Sequence, residues 1–317
     1  MARNRWSHGY TVSLIWLSSF ILFYSGFQMA IQNSSKRIQF MDSASTNLNS
    51  ERRSRLYNKM EHDLEEHGAV FLQGGETSQS LSLSDIFAVE DGIVKPVLKA
   101  ANPPVRANVL YLSTNFSIPI SQAVKGIFQP YFDKAIWFQN SSLYHFSMFH
   151  ASHHIVAVPA TEDEIEAEAT AVKAVAETLC PLKIVLDRVV LTSTGVLLGC
   201  WQVTSGTDPV YIRERLRNVL PDAPEKQLYD PAMLHTSFAR LLGHPKLSVE
   251  FNYVQELHKQ PNQLQFFHEL VMHLNNKIRG FEAEVSELWY VEEFDMLALA
   301  LNGRIKPRKF HLGCSYN

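Results

Sequence analysis

The sequence predicts an α+β fold with an internal duplication. Over residues 106–301, segments with apolar residues at helical spacing alternate with short β-rich runs. Two of these runs, which begin at His145 and His235, contain the pattern His-x-Ser in a similar local context. This recurrence indicates that one half of the fold is repeated.

The first hundred residues predict fewer regular elements. Residues 32–50 are rich in Ser, Asn and Gln and predict a linker. Residues 51–67 are charged, with apolar residues at helical spacing, and predict a helix that ends at Gly68. Residues 69–72 predict a short strand, and residues 85–105, which contain three prolines, predict irregular structure.

From residue 106 the element signals are stronger. The predicted helix at 162–179 begins with acidic residues, as the helix dipole prefers, and is stopped by Pro181. The sequence Thr-Ser-Thr-Gly at 192–195 predicts a hairpin turn. The predicted elements are, in order, a strand at 107–112, a helix at 118–132, strands at 135–138 and from 145, a helix at 162–179, strands at 183–190 and 195–203, a helix at 209–220, a strand from 235, a helix at 249–279 interrupted near Pro261, and a strand at 288–301.

The two His-x-Ser runs are the candidate catalytic strands. Residues i and i+2 of a strand point to one face, about 7 Å apart, so each run directs an imidazole and a hydroxyl into the same space. Two such strands side by side would surround one small cavity. Two imidazoles with two hydroxyl donors suit acid–base chemistry on an anion and need no metal. The candidate catalytic residues are therefore His145, Ser147, His235 and Ser237.

A group of three further histidines, His150, His153 and His154, follows the first run. No acidic residue lies near them before Glu162, and positions 150 and 153 have opposite strand parity. The pattern therefore favours loop or pocket-lining imidazoles over a metal site. The sequence has no phosphate-binding glycine loop and no Gly-x-Ser-x-Gly motif. We expect chemistry without a metal or another cofactor.

Composition limits the partners of the chain. With 46% hydrophobic and 19% charged residues, its 317 residues can form one large domain or two modest ones. The net charge of −3 argues against strong binding of duplex nucleic acid, which needs a basic field. A small local phosphate pocket is compatible with this charge.

Residues 11–30 form an uncharged run, TVSLIWLSSFILFYSGFQMA. As a helix, the run would span about 30 Å, which is one bilayer core. A cleaved signal peptide is the alternative, but the run is long and lacks an obvious small-x-small cleavage site. We predict an uncleaved single-pass anchor in the lipid bilayer. Asn-x-Ser triplets at Asn33, Asn115 and Asn140 are compatible with a body in the secretory pathway, in the endoplasmic reticulum or Golgi.

The chain has three cysteines, Cys180, Cys200 and Cys314. Their odd number and wide spacing predict neither a disulfide framework nor a zinc site. We expect these cysteines to be small buried apolar side chains.

The element order and the two motifs together resemble the 2H phosphoesterase superfamily, the two-histidine enzymes of the RNA ligase/cyclic nucleotide phosphodiesterase group. The first motif of that superfamily is His-h-Ser/Thr-h, where h is apolar, and residues 145–148, His-Phe-Ser-Met, match it. The second often reads His-x-Thr/Ser-apolar-Ala-Arg, and residues 235–240, His-Thr-Ser-Phe-Ala-Arg, match it, with Thr236 less apolar than usual. The resemblance covers residues 106–301.

The resemblance implies a bilobal fold in which each lobe contributes one His-x-Ser strand to a central cleft. It also implies cleavage of cyclic phosphodiesters, such as 2′,3′-cyclic nucleotides and RNA ends. One neutral His would take a proton from water, and the other, protonated, would give one to the leaving ribose oxygen. Ser147 and Ser237 would donate hydrogen bonds to the non-bridging oxygens. Which His is the acid is left open.

Three residues near the motifs are candidate substrate contacts. Trp137 and Tyr290 lie on predicted strands and could stack on a base, although core packing is the ordinary role of such residues. Arg240 could contact phosphate. Strand parity points it away from His235 and Ser237, so a structural ion pair is an equal alternative.

We thus predict three segments: a cytosolic stub and membrane anchor at 1–31, a linker and N-terminal extension at 32–105, and a 2H phosphoesterase-like domain at 106–317. The predicted function is metal-independent hydrolysis of a 2′,3′-cyclic nucleotide, an RNA end or a related cyclic phosphate. One alternative is a nucleotide- or RNA-end-binding module without turnover. Another is a membrane-tethered interaction protein in which residues 32–105 carry the function. Intact His and Ser in both motifs favour the enzyme.

Overall fold

A computed structural model describes residues 47–74, 81–90, 93–132, 134–246 and 263–314. The chain divides into two units, residues 1–49 and residues 50–317, and all packing described below belongs to the second. The predicted membrane anchor and the first part of the helix predicted at 249–279 lie outside the described residues. Within the described ranges, no helix has the length and apolar character needed to cross a bilayer.

The described chain alternates helices and strands, which confirms the α+β class. In chain order, the elements are α1 (residues 47–67), α2 (Leu83–Ile86), β1 (Phe87–Glu90), β2 (Ile93–Pro96), β3 (Ala100–Tyr111), α3 (Thr114–Phe132), β4 (Ile136–Phe138), β5 (His145–Ser152), α4 (Glu162–Ala176), β6 (Leu182–Leu191), β7 (Val196–Ser205), α5 (Pro209–Val219), β8 (His235–Leu241), α6 (Gln263–Ile278), β9 (Glu282–Val285), β10 (Glu287–Asp295), α7 (Ala298–Leu301) and β11 (Ile305–His311). Short 3₁₀ turns lie at Val70–Gln73 and Ser141–Leu143.

Two antiparallel sheets form the body. The first has the strand order β11-β10-β3-β5, and the second has the order β4-β8-β7-β6-β9. Each sheet contains one His-x-Ser strand, β5 in the first and β8 in the second. The strands β1 and β2 form a separate hairpin.

The two sheets meet through aromatic residues that lie on the opposite strand face from the motif residues. Tyr144 packs on Phe238, with ring centroids 5.5 Å apart, and Phe146 packs edge-on against Trp201 at 5.8 Å. All four side chains are almost completely buried in the main core. Each motif strand therefore has one face in the core, which fixes the direction of its other face.

Helix α1 packs on the second sheet, on the face that carries His235. Leu198 and Cys200 lie directly opposite Ser237 and His235 in the β7–β8 ladder, so they share that face. Both belong to one buried cluster with Tyr57 of α1, which is completely buried. The helix predicted at 51–67 is therefore part of the domain core rather than a detached extension.

Polar contacts also anchor α1. Arg53 and Asp208 form a fully buried ion pair at 2.8 Å. Asp63 accepts a hydrogen bond from the Ser193 N–H at 2.7 Å.

The predicted domain boundary at residue 106 falls inside β3, and the role of residues 32–105 stays a prediction.

Two predictions in the N-terminal region were wrong. Residues 70–73 form a 3₁₀ turn rather than a strand, because Gly68 and Gly74 flank it with left-handed backbone at φ 72° and 73°. Residues 85–105 are regular, since they contain β1, β2 and the first half of β3. The β3 prolines lie at 103 and 104, between Ala100 and Val105, where the pairing with β10 skips residues, so their missing N–H groups remove no ladder bond.

The strand predicted at 288–301 ends earlier. β10 stops at Asp295, and the chain turns through Leu297 and Asn302, both with φ 58°, on either side of α7. Leu299 of α7 is buried against Val109 and Trp289 of the first sheet. An apolar run that looked like a strand continuation is therefore a fold-back segment, followed by β11, which the sequence did not predict.

The cysteine prediction was also wrong in part. Cys180 and Cys314 form a disulfide that spans 134 residues and links the end of the described chain to the segment after α4. The Gly313 N–H also donates to the Ala176 carbonyl at 3.2 Å, so tertiary packing brings the two cysteines together. Cys200 is free and completely buried, as expected.

Candidate active site

One cavity contains all four predicted catalytic residues. His145, Ser147, His235 and Ser237 line a space of about 460 Å³ between the two sheets. This volume lies in the range of pockets that hold small ligands. The structure thus brings together two motifs that are distant in sequence, while their catalytic roles stay predictions.

Both motif strands contain a β-bulge directly after the motif serine. In β5, Ser147 lies opposite Val109 but Phe149 lies opposite Asn108, so Met148 is skipped. In β8, Ser237 lies opposite Leu198 but Ala239 lies opposite Leu197, which leaves Phe238 without a partner residue. One extra residue reverses the direction of every following side chain.

The two bulges redirect one polar residue on each strand. His150 and Arg240 each follow the motif serine by three positions, and both line the cavity. The parity argument that pointed Arg240 away from His235 and Ser237 is therefore wrong, because it assumed an unbroken strand. His150 is the equivalent of Arg240 on the other strand, and sequence reasoning did not select it as a site residue.

A glycine makes room for the second bulge. A Cβ atom on Gly199 would lie 2.2 Å from Cζ of the Phe238 ring. Phe238 is the bulged residue and is completely buried. The close approach of its ring to the β7 backbone therefore requires glycine at position 199.

His145 is held by its own chain in one orientation. Its Nδ1 donates to the Leu143 carbonyl at 2.8 Å, because a carbonyl oxygen can only accept. Nε2 is then the ring nitrogen available to a ligand. Burial lowers the pKa of His145, and the Leu143 carbonyl partly opposes this shift.

His235 and His150 are more strongly held in the neutral form. Burial lowers the pKa of His235 to about 3, and the nearby charges of Arg213 and His145 act in the same direction. Burial likewise lowers the pKa of His150 to about 3, with contributions from His153 and other neighbours. Both imidazoles are therefore neutral at pH 7.

Arg240 is a partly buried cation at the cavity wall. Burial lowers its pKa to about 10, so it is still charged at pH 7. Its Nη1 is buried and has no hydrogen-bond partner among the described residues, and no ion pair of Arg240 occurs there. A desolvated guanidinium group without an anionic partner is suited to bind an anion from solution.

The two aromatic candidates do not line the cavity. Tyr290 is completely buried on the opposite face of the first sheet, where its hydroxyl donates to Glu168 at 2.6 Å. Trp137 donates from Nε1 to the Ala300 carbonyl at 3.2 Å and packs against Phe87. Trp137 lies opposite Arg240 in the β4–β8 ladder, next to the cavity rather than in its lining. Substrate contact by either ring stays a prediction.

The histidines after β5 have different roles. Both ring nitrogens of His153 are occupied, since Nδ1 accepts from the Val156 N–H and Nε2 donates to the Lys226 carbonyl. His153 therefore holds its loop. His150 lies beside it, with ring centroids 6.0 Å apart, and no hydrogen bond occupies its ring among the described residues. In that part of the chain, no group of three His, Cys, Asp or Glu residues could hold a metal ion.

The remaining walls of the cavity come from four segments. Helix α1 forms one wall, and the β6–β7 turn forms another. The α7 region and the loop before β8 form the other two walls of the cavity. The residues these segments contribute include Lys59, Met60, Asp63, Thr192, Ser193, Thr194, Leu297, Leu299, Ala300, Leu228, Tyr229, Asp230 and Met233.

Comparison with known proteins gives distant structural matches. No family model matches the sequence, and no curated protein matches it. TT0787 of Thermus thermophilus is 12% identical, with a TM-score of 0.44 over 67% of this chain and 100% of that chain. E. coli LigT in its apo form is 11% identical, with a TM-score of 0.41 over 66% and 98%. LigT complexed with 3′-AMP is 14% identical, with a TM-score of 0.39 over 66% and 98%. These values are too low to transfer function, so the function must be inferred from the cavity side chains.

Proposed function

We propose that this protein is a metal-independent phosphodiesterase that opens a cyclic phosphate, such as a 2′,3′-cyclic nucleotide or RNA end. The observation that carries this proposal is the pair of imidazoles and the pair of serine hydroxyls in one cavity. Arg240 adds a partly buried positive charge in the same space. Neutral imidazoles, hydroxyl donors and one cation are the groups that acid–base cleavage of a phosphodiester needs.

The surroundings of the two histidines favour different roles. The Leu143 carbonyl accepts from Nδ1–H of His145, so this imidazole is better able to carry a second proton on Nε2. The charge of Arg213 opposes protonation of His235. We therefore assign His145 as the acid and His235 as the base. A bound phosphate anion would favour the protonated form of His145 further.

The proposed reaction is an in-line displacement at phosphorus. Neutral His235 takes a proton from water as the water oxygen forms a bond to phosphorus. The bond from phosphorus to one ribose oxygen breaks, and that oxygen receives the proton from Nε2 of His145. Ser147 and Ser237 donate hydrogen bonds to the non-bridging oxygens, and Arg240 balances their charge. Exchange of protons with solvent restores both rings.

A location in the secretory pathway, anchored by residues 11–30, is part of the proposal. The apolar run supports the anchor. The Cys180–Cys314 disulfide supports a lumenal body, because disulfides persist in oxidising compartments. Protease protection of the intact protein in sealed membranes tests this, with protection of residues 50–317 expected and their digestion contradicting it.

The test of the activity uses the full chain in detergent with a 2′,3′-cyclic nucleotide and a chelator. We expect turnover that falls by about 10²–10⁴-fold in His145→Ala and in His235→Ala. His273→Ala, which removes an exposed imidazole on α6, is the matched control and should keep wild-type turnover. Binding without turnover would support the non-catalytic alternative. If the protein shows no binding and no turnover, the proposal is contradicted.

A further inference from the structure

Arg213 of α5 is a buried arginine that bonds only to backbone carbonyls among the described residues. Its Nε donates to Met148 O at 2.9 Å, and its Nη2 donates to Ser147 O at 2.9 Å. The same Nη2 donates to Met233 O at 2.8 Å, and Nη1 donates to Pro231 O at 2.5 Å. The residue is 7% exposed.

These four carbonyls belong to the two motif strands and their approaches. Ser147 and Met148 are the motif serine of β5 and its bulged neighbour. Pro231 and Met233 lie in the segment that leads directly into His235. One guanidinium group therefore joins the backbone of both motifs, which lie in different sheets.

The need for such a residue follows from strand order. β5 is an edge strand of the first sheet, so its carbonyls that point away from β3 have no strand partner. The segment at 231–233 is irregular and has no ladder either. Buried carbonyls without partners are costly, and the planar fork of an arginine can satisfy several at once.

The charge of Arg213 also reaches the cavity. Burial lowers its pKa to about 10, so the side chain is charged at pH 7. This charge disfavours protonation of His235 and, to a smaller extent, of His150. Both effects act on residues that Arg213 does not contact through its own hydrogen bonds.

We propose that Arg213 is a positioning residue that fixes the separation and orientation of the two His-x-Ser strands. Burial is the main reason that the His235 imidazole is neutral, and the charge of Arg213 acts in the same direction. The kinetic part of this inference rests on the proposed function. The structural and titration parts do not depend on it.

The test compares Arg213→Lys and Arg213→Met in the full-length chain in detergent. Lysine keeps the charge but loses the planar fork, and methionine loses both. Arg215→Lys and Arg215→Met are matched controls, because Arg215 is exposed on the same helix and its side chain donates to the Thr178 hydroxyl. Three measurements are made: kcat and KM over a pH range, urea unfolding, and NMR titration of histidine side chains with His235 assigned through His235→Gln.

For Arg213→Lys, we expect kcat to fall by about 10–100-fold with KM little changed, because misplacement by about 1 Å costs this much. The His235 ring should remain neutral at mildly acidic pH. For Arg213→Met, we expect a larger fall in kcat. The His235 titration should move up but stay below the ordinary pKa of histidine, because burial, the main cause of its low pKa, remains. The Arg215 variants should change neither quantity.

A purely structural role gives a different result. Loss of stability with wild-type kcat in the folded Arg213→Lys protein, and an unchanged His235 titration in both variants, would overturn the inference. If Arg213→Met does not fold, the Arg213→Lys variant provides the test. A fall in kcat with little change in KM supports the inference. If the wild-type chain has no turnover, the proposed function fails. In that case the His235 titration is the remaining test. An upward shift of the His235 pKa in Arg213→Met still supports the proposed role of Arg213.

Discussion

At the scale of single residues, the buried Arg213 and the partly buried Arg240 have opposite surroundings. Arg213 satisfies four carbonyls, whereas Nη1 of Arg240 has no hydrogen-bond partner among the described residues. A cation without a partner in a partly buried position is unfavourable for folding. We therefore expect Arg240 to act on a bound anion directly, whereas Arg213 acts through the backbone of the two motif strands.

We predict that Arg240→Met reduces activity without reducing stability. A methionine of similar length removes the buried charge, so the free energy of unfolding should stay the same or rise. The loss of charge stabilisation should lower kcat/KM by about 10²–10³-fold. Urea unfolding and steady-state kinetics of the same preparation measure both effects.

Arg304→Met is the matched control for Arg240→Met, since Arg304 is an exposed arginine that is paired with Asp295 and does not line the cavity. It should keep wild-type kcat/KM. A marked loss of stability in Arg240→Met would show that Arg240 has a structural partner, and unchanged kcat/KM would remove it from the site.

At the scale of elements, helix α1 connects the N-terminal region to the second motif. The Tyr57 hydroxyl lies 2.8 Å from the carbonyl oxygens of Trp201 and Leu234, and it accepts from the Leu234 N–H at 3.2 Å. Leu234 directly precedes His235. The helix therefore supports the strand end from which the proposed base extends, and it contributes Lys59 and Met60 to the cavity wall.

We predict that Tyr57→Phe destabilises the protein by about 1–3 kcal/mol, because the buried Leu234 N–H loses its acceptor. Thermal and urea unfolding measure this change. Tyr211→Phe on α5 is the matched control, since Tyr211 is 37% exposed and should tolerate the loss of its hydroxyl. Equal stability of Tyr57→Phe and wild type would mean that α1 does not support β8 in this way.

At the scale of the whole molecule, the pH dependence of stability follows from the buried histidines. His150 and His235 have pKa values of about 3 in the folded protein. In the unfolded chain, histidine titrates near 6.5. Between these values the unfolded state binds more protons, so stability is full above about pH 6.5 and falls as pH falls towards 3.

We predict that the urea midpoint falls steadily between pH 7 and pH 4, and that His150→Gln makes the fall smaller. The reason is that glutamine has no proton to bind on unfolding. His273→Gln on the exposed face of α6 is the control and should retain the wild-type slope. A pH profile of His150→Gln that matches the wild type would show that His150 is protonated equally in both states.

The sequence predicted the local elements best. Helix α4 begins at Glu162 with a capping box between Thr161 and Glu164, and α5 begins with Pro209 at its first turn. These signals lie within a few residues of the element they start, so they can be recognised without the fold. The prediction failed for residues 297–302, where an apolar run folds back because Leu299 is buried against the first sheet, to which β10 itself belongs.

The sequence alone determined the α+β class and the two His-x-Ser strands, because hydrophobic period and side-chain alternation are local properties of the chain. Tertiary structure alone decided that His150 and Arg240 enter the cavity, that Arg213 joins the two motifs, and that Cys180 pairs with Cys314. The position of a bulge, the burial of a carbonyl and the pairing of two cysteines all depend on how segments far apart in sequence align with one another. That alignment is set by packing of the whole domain, which no short stretch of residues encodes.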